Sequence, residues 1–344
     1  MSMRLVDGSA SSRRYRSERP AARFDLSLSE NPFPPLPSVL LAVNEALAQA
    51  NRYPEFFPLR LPTLIARHLG VHPDQVVVGS GATGVAMQII QALTTPGSEL
   101  VVGSPTFDGY PIMAEMAGLE LVSVPLDAMG NQDLAAMRRA VGNRTSLIVI
   151  CRPHNPTGTV LPAAELTSFL CSVPSRVPVI LDEAYVEFLA EADRVDTDAL
   201  LRRHQNLLIL RTFSKAYGLA GLRIGYVFGG RELIARVRRL QLPFGVSTAA
   251  VAAVAASYAA APELQLRIHR ITTGRENLRN SLRSCGIAVP RSHANFLYLP
   301  GPGIATALRR AEITAKAYPN GSARIAVGDP EADLAVLAAV ASLR

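Results

Sequence analysis

The chain has no tryptophan, three cysteines and only 18 % charged residues in 344. Cys151, Cys171 and Cys285 are odd in number and lack the spacing of a metal or redox pair, so no metal site is expected and a reducing, cytoplasmic setting suits them. His68 and His72 are four apart, but Gly70 and the His72-Pro73 step interrupt any helix that would align them on a zinc ion. Nowhere is there the run of roughly 20 apolar residues that a membrane span needs. The alanine-rich stretch 249–261 is too short and carries Ser257 and Tyr258, which makes it a packed helix.

Acid is scarce at the amino end, where Arg4, Arg13, Arg14, Arg16, Arg19 and Arg23 fall within residues 1–24. That leader has no apolar core, so it is not a secretory signal; its composition is weakly transit-peptide-like, and it is expected to be disordered. It also accounts for much of the net charge of +7, and Arg236, Arg238 and Arg239 have the look of a wet helix face. Neither pattern asks for a nucleic acid or a membrane as partner.

What the chain does have is 49 % apolar residues over a length beyond the usual limit of one hydrophobic core. Apolar runs at 76–78, 100–102, 121–124, 147–151, 177–181, 207–210 and 224–228 read as buried strands. Helical patterns at 83–93, 112–116, 133–141 and 163–170 lie between most of them. Short buried strands alternating with helices predict an α/β fold with a mainly parallel, seven-stranded sheet covered on both faces. Further helices are predicted at 39–50, 61–69, 232–240, 248–260, 263–284 and from Pro330, with strands at 295–299 and 323–327. The expected division is a large domain over 41–245 and a smaller α/β domain from 25–40 with 246–344. No internal repeat or low-complexity tract is present.

Gly79-Ser80-Gly81-Ala82-Thr83-Gly84 has the GxGxxG spacing of a dinucleotide loop. Such a site needs an acid at the end of the next strand to hold the ribose, yet that strand ends in Ser104-Pro105. The loop serves instead as an anion cradle, in which the N–H groups of Gly81, Ala82 and Thr83 at a helix start would hold a phosphate.

The stretch Arg211–Gly225, RTFSKAYGLAGLRIG, supplies a lysine, Lys215, among the hydroxyls of Thr212 and Ser214 and the fixed cation of Arg223. Lysine condenses with carbonyl compounds, and pyridoxal phosphate is the one that also requires an anion site alongside. Asp182, at the end of a strand, suits the ring nitrogen of such a cofactor; Asn155 and Tyr185 offer donors to its phenolate oxygen, and Phe107 a face to stack on its ring. Each has a plainer reading alone, as a turn, a cap or a core residue. Together they describe one ligand.

The set GSGATG, SPTFDGYP, PHNPTG, LDEAYVEF, RTFSKAYGLAGLRIGY, ANFLYL and RIAVGDPEAD resembles the fold-type-I pyridoxal-phosphate aminotransferases, and more narrowly the histidinol-phosphate aminotransferase family with its aromatic amino acid aminotransferase members. The likeness runs from about Leu26 to the carboxyl end. It implies that Lys215 holds the cofactor and moves the substrate proton, that Asp182 pairs with the pyridine nitrogen, and that Asn155 and Tyr185 bond its oxygen. It also implies that Phe107 stacks, where a tyrosine is common. The phosphate would fall to Gly81, Ala82, Thr83, Thr212, Ser214 and Arg223, with Tyr53 reaching across a homodimer interface so that active sites are shared. Arg324 would grip the acidic end of the substrate, with Asn155 beside it.

Two positions depart from the family pattern, and both concern the substrate. Lys316 stands where an arginine is common, and Phe33 stands where phosphate-substrate members more often carry tyrosine. Lysine lacks the planar fork that suits phosphate. The resemblance therefore implies transamination between an aromatic or imidazole-bearing amino donor and a 2-oxo acid such as 2-oxoglutarate. The alternatives are a histidinol-phosphate aminotransferase proper, a decarboxylase of a phosphorylated amino acid using the same lysine, aspartate and arginine, and a non-enzymatic regulator on the same scaffold. For the last, the leader is too short to hold a helix-turn-helix.

Overall fold

The computed structural model describes residues 22–344 except 328, 342 and 344. The basic leader expected over 1–24 lies outside them as far as residue 21. Beyond that point the expectation is corrected, because Arg23 pairs with Glu331 and a strand has already begun at Phe24.

The strands in chain order are β1 (Phe24–Asp25), β2 (Val76–Ser80), β3 (Glu99–Ser104), β4 (Glu120–Pro125), β5 (Thr145–Cys151), β6 (Val179–Asp182), β7 (Leu207–Thr212), β8 (Ile224–Gly229), β9 (Phe296–Leu299), β10 (Ile313–Thr314), β11 (Lys316–Ala317) and β12 (Ala323–Ala326). Seven of them form one sheet in the order β2-β8-β7-β6-β5-β3-β4. All its pairs are parallel except those of β8, which runs against both neighbours. The seven predicted runs fall on these seven strands.

Side chains alternate between the two faces, as a period of two requires. Val76, Val78, Val179, Leu181, Leu207 and Ile209 enter one apolar cluster; Val77, Ile180, Leu208 and Leu210 enter the other. Helices Gly81–Leu93 and Gly109–Met116 cover the second face. The first cluster continues through helices Thr248–Ala259 and Ala261–Ser284 into the small sheet β11-β12-β9, so one apolar mass joins the two sheets.

Residues 24–31 strap the two sheets together. β1 pairs in parallel with β10, and Ala326 N–H donates to Leu26 O at 2.8 Å. Asn295 Nδ2 holds the carbonyls of Ser29 and Glu30 at 3.0 Å each, while Asn31 Nδ2 reaches the carbonyls of Lys215 at 3.1 Å and Ala216 at 3.0 Å.

Two seven-residue helices, Thr197–Arg203 and Ile304–Arg310, were not legible as apolar periods. The first is set by its cap, since Asp196 accepts from Ala199 N–H at 2.9 Å. No helix among the described residues is long and apolar enough to cross a membrane, and no group of three or more His, Cys, Asp or Glu among them is placed to hold a metal.

One polar contact is built into the apolar interior. Arg211 on β7 donates to Glu183 Oε2 from Nη2 at 2.7 Å and from Nε at 2.9 Å, and the Glu183 side chain is fully buried. The carboxylate holds the guanidinium well above the ordinary arginine range. Glu183→Gln strips this charge from a buried cation. It is expected to destabilise the protein by about 3–5 kcal/mol, read as a lower urea midpoint at an unchanged slope.

Candidate active site

In an open parallel sheet, ligands collect beyond the carboxyl ends of the strands. Those ends here carry Gly81 after β2, Phe107 after β3, Asn155 after β5, Asp182 on β6 and Thr212 on β7. Because β8 runs the other way, its beginning, with Arg223 just before it, reaches the same edge. All of these but Gly81 border one cavity of about 610 Å³ between the large sheet, the strap and the small sheet; at the cradle it is lined by Ala82 and Thr83. Ala82, Thr83, Phe107, Asn155, Asp182, Tyr185, Thr212, Ser214, Lys215, Arg223, Lys316 and Arg324 all line it. The sequence contains two lysines, Lys215 and Lys316, and both lie here.

At one end the wall is made for an anion. Helix Gly81–Leu93 starts there with no acid in its first turn, so its N–H groups and dipole face the cavity unopposed. Thr212 Oγ1 lies 3.0 Å from Ser214 Oγ and accepts from Ser214 N–H at 3.1 Å. Arg223 presses so closely on the turn that a Cβ at Gly81, whose φ is +71°, would meet Nη2 at 2.3 Å. A Cβ at Gly225 would meet Ala82 N at 2.2 Å. Gly225 is required for β8 to approach the helix start, and Gly81 for the positive φ of the turn.

The floor holds a carboxylate. Asp182 Oδ2 accepts from Tyr110 Oη at 2.6 Å, and Oδ1 accepts from Ala184 N–H at 3.0 Å. Burial pushes this carboxyl above its ordinary range while the two donors pull it back. Tyr110 was not singled out from the sequence. It lies three residues after Phe107, whose ring it meets edge-on at 5.8 Å. The only signal is that spacing, and nothing local says its hydroxyl points inward.

Lys215 donates to the carbonyls of Leu28 at 3.0 Å and Ser29 at 3.2 Å, both on the strap. Its amine is lowered to about 8, mainly by burial, then by Arg324 and Arg223, against Glu30 and Asp182. Above the floor, Arg324 on β12 donates from Nη1 to Asn155 Oδ1 and from Nη2 to Ser27 O, both at 2.6 Å. Its buried Nε–H has no protein partner. That contact fixes the Asn155 amide so that Nδ2 faces Tyr185 Oη, 3.5 Å away. Burial pushes the Tyr185 hydroxyl up to about 12, keeping it a donor at neutral pH.

Two expected residues are placed elsewhere. Phe33 does not line the cavity; its ring packs on the first core cluster with the guanidinium carbons of Arg270 at 4.5 Å and Arg267 at 5.6 Å above it. Tyr53 is 83 % exposed and packs on Phe244, ring centres 4.8 Å apart, outside this chain's own cavity.

The donor set fits a pyridine aldehyde bearing a phosphate. There is an anion cradle at one end, a buried carboxylate on the floor, a near-neutral amine between them and an unpartnered guanidinium N–H at the far end. Comparison with known proteins agrees with the chemistry. Residues 22–339 match the family described as aminotransferase class I and II. The chain is 40 % identical over 328 residues to an aromatic amino acid aminotransferase of Streptomyces coelicolor, covering 93 % of this chain and 91 % of that protein. It is 43 % identical over 309 residues to one of Corynebacterium glutamicum, covering 89 % of each. The histidinol-phosphate aminotransferase of Sinorhizobium meliloti, solved with pyridoxal-5'-phosphate, superposes with a TM-score of 0.86 at 27 % identity, covering 94 % of this chain and 92 % of that one.

The lowered amine gives a direct test. In the cofactor-free protein, acetylation of Lys215 followed by peptide mapping should rise with a midpoint near pH 8. Below it the amine is protonated and inert, above it neutral. A midpoint at the ordinary value of 10.5 would mean that the site is open to water.

Proposed function

The chain belongs to the class I and II aminotransferases and is a pyridoxal-phosphate-dependent aminotransferase. On that premise we propose that it moves the amino group of an aromatic or imidazole-bearing donor to a 2-oxo acid such as 2-oxoglutarate. The observation that carries the assignment of residues is the convergence of Lys215, Asp182, Asn155, Tyr185, Arg223 and Arg324 on one cavity from four separate stretches of chain. The donor class rests on the aromatic amino acid aminotransferases at 40–43 % identity and on Leu28, Phe107 and Tyr318, which add apolar and aromatic side chains to the cavity lining.

Bound pyridoxal phosphate supplies an aldehyde for the amine and a ring that takes up the electron pair of the broken Cα–H bond. The geometry supports the following part for the protein. Gly81, Ala82, Thr83, Thr212, Ser214 and Arg223 would hold the phosphate. Asp182, oriented by Tyr110, would oppose positive charge on the ring nitrogen. Asn155 and Tyr185 would donate to the ring oxygen, and Phe107 would cover the ring. Lys215, neutral above about pH 8, would hold the cofactor and then accept and return the Cα proton as a general base and acid. Arg324 would pair its fork with the substrate carboxylate.

The reading includes a homodimer. Tyr53, Phe56, Phe57, Leu59, Leu242 and Phe244 are all exposed, and Phe56 and Phe244 meet edge-on at 5.0 Å. An apolar patch of this kind on a monomer favours burial against a partner. It adjoins a cleft lined by Arg52, Ser80 and Arg223, the outer side of the anion cradle. Tyr53 would act there on the partner's phosphate. A large unit over 41–245 with a smaller one from 25–40 and 246–344, and a cytoplasmic setting, are parts of the same proposal.

The holoenzyme offered amino acids one at a time should lose its cofactor absorption band about tenfold faster or more with phenylalanine or tyrosine than with alanine. Lys215→Ala should show no turnover. Conversion by histidinol phosphate alone would refute the donor assignment. Phe56→Glu with Phe244→Glu should sediment as a monomer and bind the cofactor more weakly; a dimer of unchanged affinity would refute the shared site.

A further inference from the structure

The outer end of the cavity holds a charge arrangement that the amine, cradle and floor do not use. β11 and β12 form an antiparallel hairpin in which Lys316 lies directly opposite Arg324. Directly opposed residues share a face of a sheet, so two cations sit side by side there, and like charges in that relation repel. Arg324 is occupied by Asn155 and the Ser27 carbonyl. Lys316 is occupied by Asp108, which comes from the large sheet's side of the cavity and also lines it.

Asp108 stands at the amino end of helix Gly109–Met116, where an aspartate ordinarily accepts N–H groups of the first turn. Its side chain makes no such bond. The carboxylate is turned away from its own helix and toward Lys316. The pair remains in reach of water, with the two side chains 34 % and 56 % exposed, so its net worth is small and it can open.

We propose that Asp108 is a specificity-determining residue that acts as an internal anion on Lys316. With the pair closed, the outer wall presents no unpaired ammonium, and an uncharged aromatic side chain enters without breaking an ion pair. A substrate whose side chain ends in a carboxylate or phosphate must displace Asp108 from Lys316 and face its repulsion. The same cavity thereby takes an aromatic donor with the pair closed and a dicarboxylic acceptor with the pair open. This rests on the transaminase reading above and goes beyond it, by naming the residue that sets the balance between the two substrate classes.

The test uses the holoenzyme and two unreactive probes, glutarate for the dicarboxylate and 3-phenylpropionate for the aromatic acid, with dissociation constants read by calorimetry. Asp108→Asn should bind glutarate about three- to fivefold tighter than the parent, with a smaller change for 3-phenylpropionate. In a Lys316→Met background the same substitution should move the ratio of the two constants less, because the partner it competes for is gone and only the repulsion by Asp108 is relieved. A ratio unmoved by Asp108→Asn, or moved equally in both backgrounds, overturns the proposal. Failure of the donor assignment would appear separately, as a parent enzyme that does not react with aromatic amino acids while the probe ratio still shifts.

Discussion

The site depends on a buried guanidinium. Arg324 belongs to the small sheet, Asn155 to a loop of the large sheet and Ser27 to the strap, and the two 2.6 Å contacts of Arg324 tie all three together. A buried cation is tolerated only where acceptors satisfy it. Here the acceptors come from stretches separated by more than 100 residues, so the charge is satisfied only when the sheets and the strap are assembled around the cavity. The same contact sets which way the Asn155 amide faces, and the guanidinium's charge adds to burial in lowering the amine of Lys215. Folding and chemistry draw on one interaction.

The electrostatics of the cavity are graded along its length. Positive potential at the cradle comes from a helix start and Arg223. The floor carries a carboxylate whose burial is offset only in part by two donors, and the outer end carries two cations, one of them paired with Asp108. Burial, and after it the guanidiniums of Arg324 and Arg223, lower the amine of Lys215 to about 8, so it gives up its proton far more readily than an ordinary lysine. A lysine on the surface of the same protein would have kept its proton.

Much of the fold was legible because its signal is local. Most of the buried strands hold short valine, isoleucine and leucine runs, and their alternation with helices favours a mainly parallel arrangement. The short strands β1, β10 and β11 were not legible, since two-residue strands carry no period, whereas β12 was. The site was legible in part for a related reason. Lys215, Asp182, Asn155 and Arg223 stand at strand ends in a chain whose other polar residues mostly do not. Tyr110 carries no local signal because a tyrosine in a helix reads as core, and the sequence does not show that the Phe33 ring packs under Arg267 and Arg270 outside the cavity.

The sequence by itself determined the α/β class, the central sheet and the residue types that a pyridoxal-phosphate enzyme requires, because hydrophobic period and strand-end position are properties of short stretches. Tertiary structure alone decided that Lys316 lies opposite Arg324, that Asp108 leaves its own helix to meet it, and that Tyr110 holds Asp182. Each of these is a contact between distant segments, set by strand register and by the pressure to satisfy buried charge, and neither is written in any one stretch of chain.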